Sequence, residues 1–120
     1  MQHSCFLGID IGTYESKGLL LDEAGRILAT AACPHELSVP RPGFAEHDAE
    51  KDWWQDFCSL SRQLLDQSGV RPDSIRAIGC STIAPCCLPV DRDGRPLRPA
   101  ILYGVDVRAS EEIRELNETL

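Results

Sequence analysis

The chain reads as an α/β protein whose mixed sheet is built in the order strand, strand, strand, helix, strand. Three observations predict this. Apolar runs over residues 5–9, 16–22 and 27–33 are separated by turns short enough for antiparallel hairpins. Residues 48–67 place Trp53, Phe57, Leu60, Leu64 and Leu65 at helical spacing. The apolar run 75–81 follows that helix closely, so it is expected to enter the same sheet in parallel.

Each element has a local reason. Gly12-Thr13 turns the chain between the first two strands, and Glu23-Ala24-Gly25-Arg26 forms the second hairpin turn. Pro34, Pro40 and Pro42 make residues 34–43 an extended connection outside any element. Asp48 is placed to cap the helix, with Glu50 and Asp52 in its first turn and Gly69 as its stop. Residues 88–91 and 99–103 read as short strands around the turn Asp91-Arg92-Asp93-Gly94. A last helix is expected from about Ser110, capped by that serine and half-buried through Ile113 and Leu116. No internal repeat, low-complexity tract or linker interrupts this order.

Composition bounds the function. The 120 residues fit one domain with a real core. No apolar run approaches the roughly 20 residues that span a membrane. His3 makes a weak n-region and Asp10 interrupts the first apolar stretch, so no signal peptide is expected and the cytoplasm is the default location. A net charge of -7, with scattered basic residues, argues against a nucleic-acid surface; any phosphate partner should be small. The six cysteines form no C-x-x-C pair and no Cys/His array. Cys5, Cys33 and Cys80 read as core thiols, and Cys86-Cys87 as packing in the absence of any recognisable base.

The first hairpin carries the chemistry. In Phe6-Leu7-Gly8-Ile9-Asp10-Ile11-Gly12-Thr13, an apolar strand delivers one carboxylate, then a glycine and a hydroxyl in a tight turn. Gly12 allows unusual backbone angles and the close approach of a phosphate oxygen. The turn amides and the Thr13 hydroxyl can donate to phosphate, an ionised Asp10 can hold magnesium, and Lys17 adds positive charge nearby. A plain hairpin would use the same residues only to turn the chain. A buried Asp10 ending so apolar a strand would need a metal or phosphate to compensate it.

Four segments, taken in order, resemble the N-terminal part of the FGGY carbohydrate kinases, the group of xylulokinase, gluconokinase and glycerol kinase. They are Gly8-Ile9-Asp10-Ile11-Gly12-Thr13 with Lys17, then Pro42-Gly43-Phe44-Ala45-Glu46-His47-Asp48 with Trp53-Trp54, then Ile78-Gly79-Cys80-Ser81, and finally Leu97-Arg98-Pro99-Ala100-Ile101-Leu102-Tyr103 with Asp106 and Arg108. The resemblance implies a ribonuclease-H-like, actin-type α/β domain, ATP with Mg2+, and transfer of the γ-phosphoryl to a hydroxyl of a sugar or polyol. It implies that residues 1–120 are an N-terminal fragment of the first kinase domain, inactive alone. The catalytic base, the second phosphate loop and the nucleotide-binding domain are then expected downstream of Leu120.

Carried over residue by residue, Asp10, Gly12, Thr13 and Lys17 are expected to hold ATP phosphate and magnesium, with Asp10 the metal ligand. Ser81, Thr82, Tyr103, Asp106 and Arg108 are expected at the sugar. Asp106 and Arg108 equally suit an ion pair at the last helix. Tyr14 replaces the family's small hydroxyl residue, a bulk that narrows the phosphate site. Ala84-Pro85 stands where xylulokinases carry Met-His and glycerol kinases Arg-Glu, which speaks against xylulose and glycerol as substrates. Trp53-Trp54 are assigned to packing, Glu46 and Asp48 to a turn and cap, and His3, His35 and His47 to surface or loop positions. Apolar surface left exposed in a fragment makes self-association an expectation, with a homodimer as one form and no symmetry fixed by the sequence. Two other classes stay open: a non-catalytic module binding nucleotide or a partner, and a phosphatase with Asp10 as nucleophile, for which Gly12 occupies the place of the usual second aspartate.

Overall fold

The computed structural model describes residues 4–120, and the expectation for His3 lies outside them. The chain falls into two compact units. The first comprises the residues up to Glu36 together with Ala49–Ile83, and the second Leu37–Asp48 with Ala84–Leu120.

In the first unit β1 (Cys5–Ile11), β2 (Glu15–Asp22), β3 (Ile27–Pro34) and β5 (Ile75–Thr82) form a four-stranded sheet in the order β3-β2-β1-β5. β1 runs antiparallel to β2 and parallel to β5, and β2 antiparallel to β3. Alternation along β1 explains its burial. Cys5, Leu7, Ile9 and Ile11 point to one face and are buried; Phe6, Gly8 and Asp10 point to the other. The buried face receives α1 (Gln55–Ser68), whose Leu60 and Leu64 are fully enclosed, with Phe57 and Trp53 packed at the margin. Enclosing each leucine contributes about 1.5–3 kcal/mol relative to exposure.

Gly18 sets how closely the helix approaches. A Cβ there would fall 2.9 Å from both the Ile9 and Leu64 Cδ1 atoms, so the absence of a side chain on β2 is what admits α1. Gly69, at φ 67°, closes the helix in the left-handed conformation, and its amide donates to the Leu65 carbonyl.

Several expectations are corrected. Residues Ala49–Trp54 form a wider π-helical turn and the α-helix starts only at Gln55, entered through Trp54 without a side-chain cap, so Asp48 is not its N-cap. Nothing in the local sequence explains the wider turn. β5 is exposed from Arg76 to Thr82, because α1 lies over β1, β2 and β3; Cys80 is therefore a surface thiol and not a core one.

In the second unit β4 (Glu46–His47), β6 (Cys86–Cys87) and β7 (Ala100–Leu102) form a small antiparallel sheet in the order β4-β7-β6 around buried Ala45, His47, Ala100 and Leu102. The strand expected over 88–91 is displaced to Cys86–Cys87, leaving one bridge between Val90 and Pro96 flanking the Asp91 turn. The Asp91 carboxylate organises that turn by accepting from the Asp93 and Arg95 amides. α2 (Ser110–Thr119) buries no residue and lacks a side-chain cap, so the capped, half-buried start is also corrected. Its pattern of apolar residues was real, but within the described residues nothing covers it.

Candidate functional site

Asp10 is the next-to-last residue of β1 and stands on the sheet face away from α1. The register places Lys17 of β2 beside it on one side and Ser81 of β5 on the other, so carboxylate, ammonium and hydroxyl share one row. In the next row Gly8 and Gly79 lie side by side with Leu19 and Thr30 beyond. Two adjacent glycines leave the sheet without side chains there, opening a hollow of about 740 Å³ floored by these residues.

Asp10 is exposed, not buried, and its carboxylate has no partner among the described residues. The burial argument for compensation is thereby corrected: β1 extends to Ile11, and the pleat turns Asp10 outward. What remains is a carboxylate presented freely at the rim of a hollow. Magnesium binds through one or two carboxylates plus phosphate oxygens and water, so a single free Asp10 fits it. Among the described residues no group of three or more His, Cys, Asp and Glu converges as a protein-only metal cage. Lys17 lies 3.3 Å from Glu15 in an exposed pair, worth little and easily exchanged for a stronger anion.

The turn Gly12-Thr13-Tyr14 joins β1 to β2. Gly12 is required by contact and not by an unusual φ, which corrects the reason given above: a Cβ would lie 2.8 Å from the Glu15 carbonyl oxygen. Its amide donates to that carbonyl at 3.0 Å, so this amide is committed to the turn. Tyr14 stands out at 61% exposure.

Sequence reasoning missed the group that holds this turn from behind. His35 is buried, its Nδ1 2.8 Å from Asp56 Oδ2 on α1 and its Nε2 3.0 Å from the Gly12 carbonyl oxygen; its amide also donates to the Tyr14 carbonyl. His35 and the fully buried His47 are therefore not surface histidines. No motif surrounds His35, and the only available signal was its position just past β3, opposite the start of β2.

Of the residues expected at the sugar, Ser81 and Thr82 end β5 in the first unit and are exposed. Tyr103, Asp106 and Arg108 belong to the second unit, where Tyr103 is exposed and the other two are engaged internally. Arg108 forks onto the Asp106 carboxylate and reaches Glu46 Oε1 at 2.8 Å, and its guanidinium lies 3.9 Å over the Phe44 ring. Asp106 also accepts the Ala45 and Arg108 amides. Arg108 holds the Asp106 carboxyl well below the usual carboxylate range, and Asp106 in turn raises Arg108. Arg98 completes the cluster at 2.8 Å from Glu46, so Glu46 is an ion-pair anchor in a strand and not a turn cap.

An antiparallel β1-β2-β3 hairpin pair, a crossing helix and a parallel β5, with a phosphate-type turn after β1, define an α/β domain of the actin-like ATPase kind. The chain belongs to the FGGY family of carbohydrate kinases: the family's N-terminal domain matches residues 5–120. It is 34% identical over 113 residues to the glycerol kinase of Nostoc sp., covering 93% of this chain and 22% of that kinase. Among solved structures it is similar to xylulose kinase from Rhodospirillum rubrum, at 29% identity and a TM-score of 0.83, covering 97% of this chain and 23% of that one. It shares its fold with gluconate kinase from Lactobacillus acidophilus, at a TM-score of 0.86 and 21% identity, covering 98% and 23% of the two chains. The chain thus spans about a fifth of the length of the curated relatives it matches. No helix among the described residues is long and apolar enough to cross a membrane.

Proposed function

We propose that this chain supplies one phosphate-binding side of an ATP-dependent carbohydrate kinase, which transfers the γ-phosphoryl of ATP to a hydroxyl of a sugar or polyol. The observation that carries the reading is the Asp10 carboxylate, without a partner among the described residues, beside the Gly12-Thr13 turn at the rim of a hollow cleared by Gly8 and Gly79. Asp10 would hold magnesium, which bridges phosphate oxygens and neutralises charge developing on them. Gly12 keeps the main chain bare where phosphate approaches, the Thr13 hydroxyl donates to it, and Lys17 leaves Glu15 to pair with it. Ser81, Thr82 and Tyr103 are assigned to the acceptor hydroxyls through their exposed side chains. Asp106 and Arg108 act there by fixing the segment after Tyr103, since their own hydrogen bonds are largely spent on each other, Glu46 and Ala45.

Phosphoryl transfer is mostly positioning and charge stabilisation, and the described residues place no base beside Asp10. The base, the second phosphate loop and the adenosine pocket are therefore assigned to sequence beyond these residues, and the 120-residue chain alone is expected to turn over no sugar at a useful rate. Family membership supports kinase over phosphatase chemistry. A binding-only role is favoured by one feature, the apolar Ala84-Pro85 pair, whose side chains neither donate nor accept, where the family resemblance implies polar contacts.

The test is ADP release from Mg-ATP across ketoses, aldoses, polyols and sugar acids, with the product of the whole reading frame. One strongly stimulating sugar establishes the kinase and names its acceptor. No stimulation by any, with ATP still bound, favours the binding-only role.

A further inference from the structure

We propose that Glu46 is a positioning residue: by tying both flanks of β7 together it fixes the loop that presents Tyr103, and its bearing on the acceptor rests on the assignment of Tyr103 above. Glu46 lies in β4 opposite Ile101 of β7, within the second unit. One of its oxygens, Oε1, accepts from Arg98 Nη2 and from Arg108 Nη2, each at 2.8 Å. Arg98 precedes β7 and Arg108 follows the loop after it. A single carboxylate oxygen thus holds both the approach to the strand and the exit from the loop.

Between these two arms the chain is pinned and then let out. The Leu102 amide donates to the Ala45 carbonyl, the Asp106 amide to the Leu102 carbonyl, and the Val107 amide to the Gly43 carbonyl. Tyr103, Gly104 and Val105 loop out between those bonds, with Gly104 turning the chain at φ 80°. All three are exposed, so the loop buries none of its own side chains and takes its order from its flanks. The Asp106 carboxylate adds a bond from the Ala45 amide at 2.7 Å, and the Phe44 ring lies beneath the Arg108 guanidinium. Residues 43–46 therefore form the bed of the loop, and Glu46 is the part that reaches both ends. Stability alone does not call for this chemistry. The Glu46 and Arg108 side chains are only 10% and 15% exposed, and burying charge carries a desolvation cost that an apolar cluster of the same volume avoids. What the shared carboxylate supplies and an apolar contact lacks is direction, through two charge-assisted hydrogen bonds.

Hydrogen exchange read by mass spectrometry, on the product of the whole reading frame, tests the clamp. Glu46→Gln keeps the length of the side chain and removes its charge. It is expected to speed exchange in residues 102–108 about tenfold or more while residues 5–22 exchange as before. Arg98→Gln removes the more exposed arm and is expected to act the same way to a smaller degree, which keeps the test decisive should Glu46→Gln fold poorly. Unchanged exchange in 102–108, or acceleration that extends equally to 5–22, overturns the proposal. Acceptor kinetics separate it from the reading it rests on. Glu46→Gln should raise the acceptor KM about tenfold with the KM for ATP held. If Tyr103→Ala raises the acceptor KM and Glu46→Gln does not, the proposal is overturned. If neither does, while exchange in 102–108 is faster, Glu46 stands as the clamp and only the placement of Tyr103 at the acceptor is lost.

Discussion

Asp10 and Gly12 show how differently two neighbours in one motif act. Asp10 has no partner among the described residues, so Asp10→Asn should cost under about 0.5 kcal/mol of stability while weakening Mg-nucleotide binding tenfold or more; titration calorimetry beside thermal melts separates the two. Gly12→Ala should do both, since its Cβ meets the Glu15 carbonyl oxygen at 2.8 Å, with a stability loss of about 1–3 kcal/mol. The Ser16 hydroxyl is buried without a hydrogen-bond partner among the described residues. Ser16→Ala should therefore leave stability unchanged or raise it by up to about 1 kcal/mol in denaturant melts, because an unmet hydroxyl is removed from the core. The motif itself was legible in the residues. Its burial was not, because a one-dimensional pattern does not tell which side of a pleat a residue faces, and Asp10, one residue before β1 ends, faces outward.

Among the elements, β1, β2, β3, β5 and α1 were legible because alternation and helical spacing over seven or more residues leave few other solutions. Leu60→Ala should cost about 2–5 kcal/mol, the range for emptying an enclosed leucine, read as a shift in the denaturant midpoint. β4 and β6 were not legible: at two residues each they have no periodicity, and their place depends on β7 between them. α2 was legible as a helix but not in its burial, because Ile113 and Leu116 are each 58% exposed. The ion-pair cluster of Glu46, Arg98, Asp106 and Arg108 joins residues up to 62 apart in sequence, a pairing no local pattern announces. Its carboxylate Asp106 is held low by Arg108, and Asp22 is held low by the Arg26 amide and side chain. Carboxylates lowered on folding stabilise the chain above the unfolded value near pH 4 and lose that contribution as pH falls through the folded ones. Melting temperature should accordingly drop steeply below about pH 4, and Asp106→Asn should flatten that drop while lowering stability at pH 7.

For the whole molecule, an acidic chain with scattered basic residues and a family match from residue 5 to 120 fit a small phosphate-bearing ligand better than a polyanion. Family and fold were visible because several motifs occurred in one order; the acceptor was not, because the loop after Ser81 departs from the patterns that name one. The central claim is that phosphate and magnesium meet at Asp10 and the Gly12 turn. Amide NMR of the chain titrated with Mg-ATP tests it most directly. Shifts concentrated in residues 10–17 and lost in Asp10→Asn are predicted, whereas shifts elsewhere, or shifts indifferent to that substitution, would contradict it.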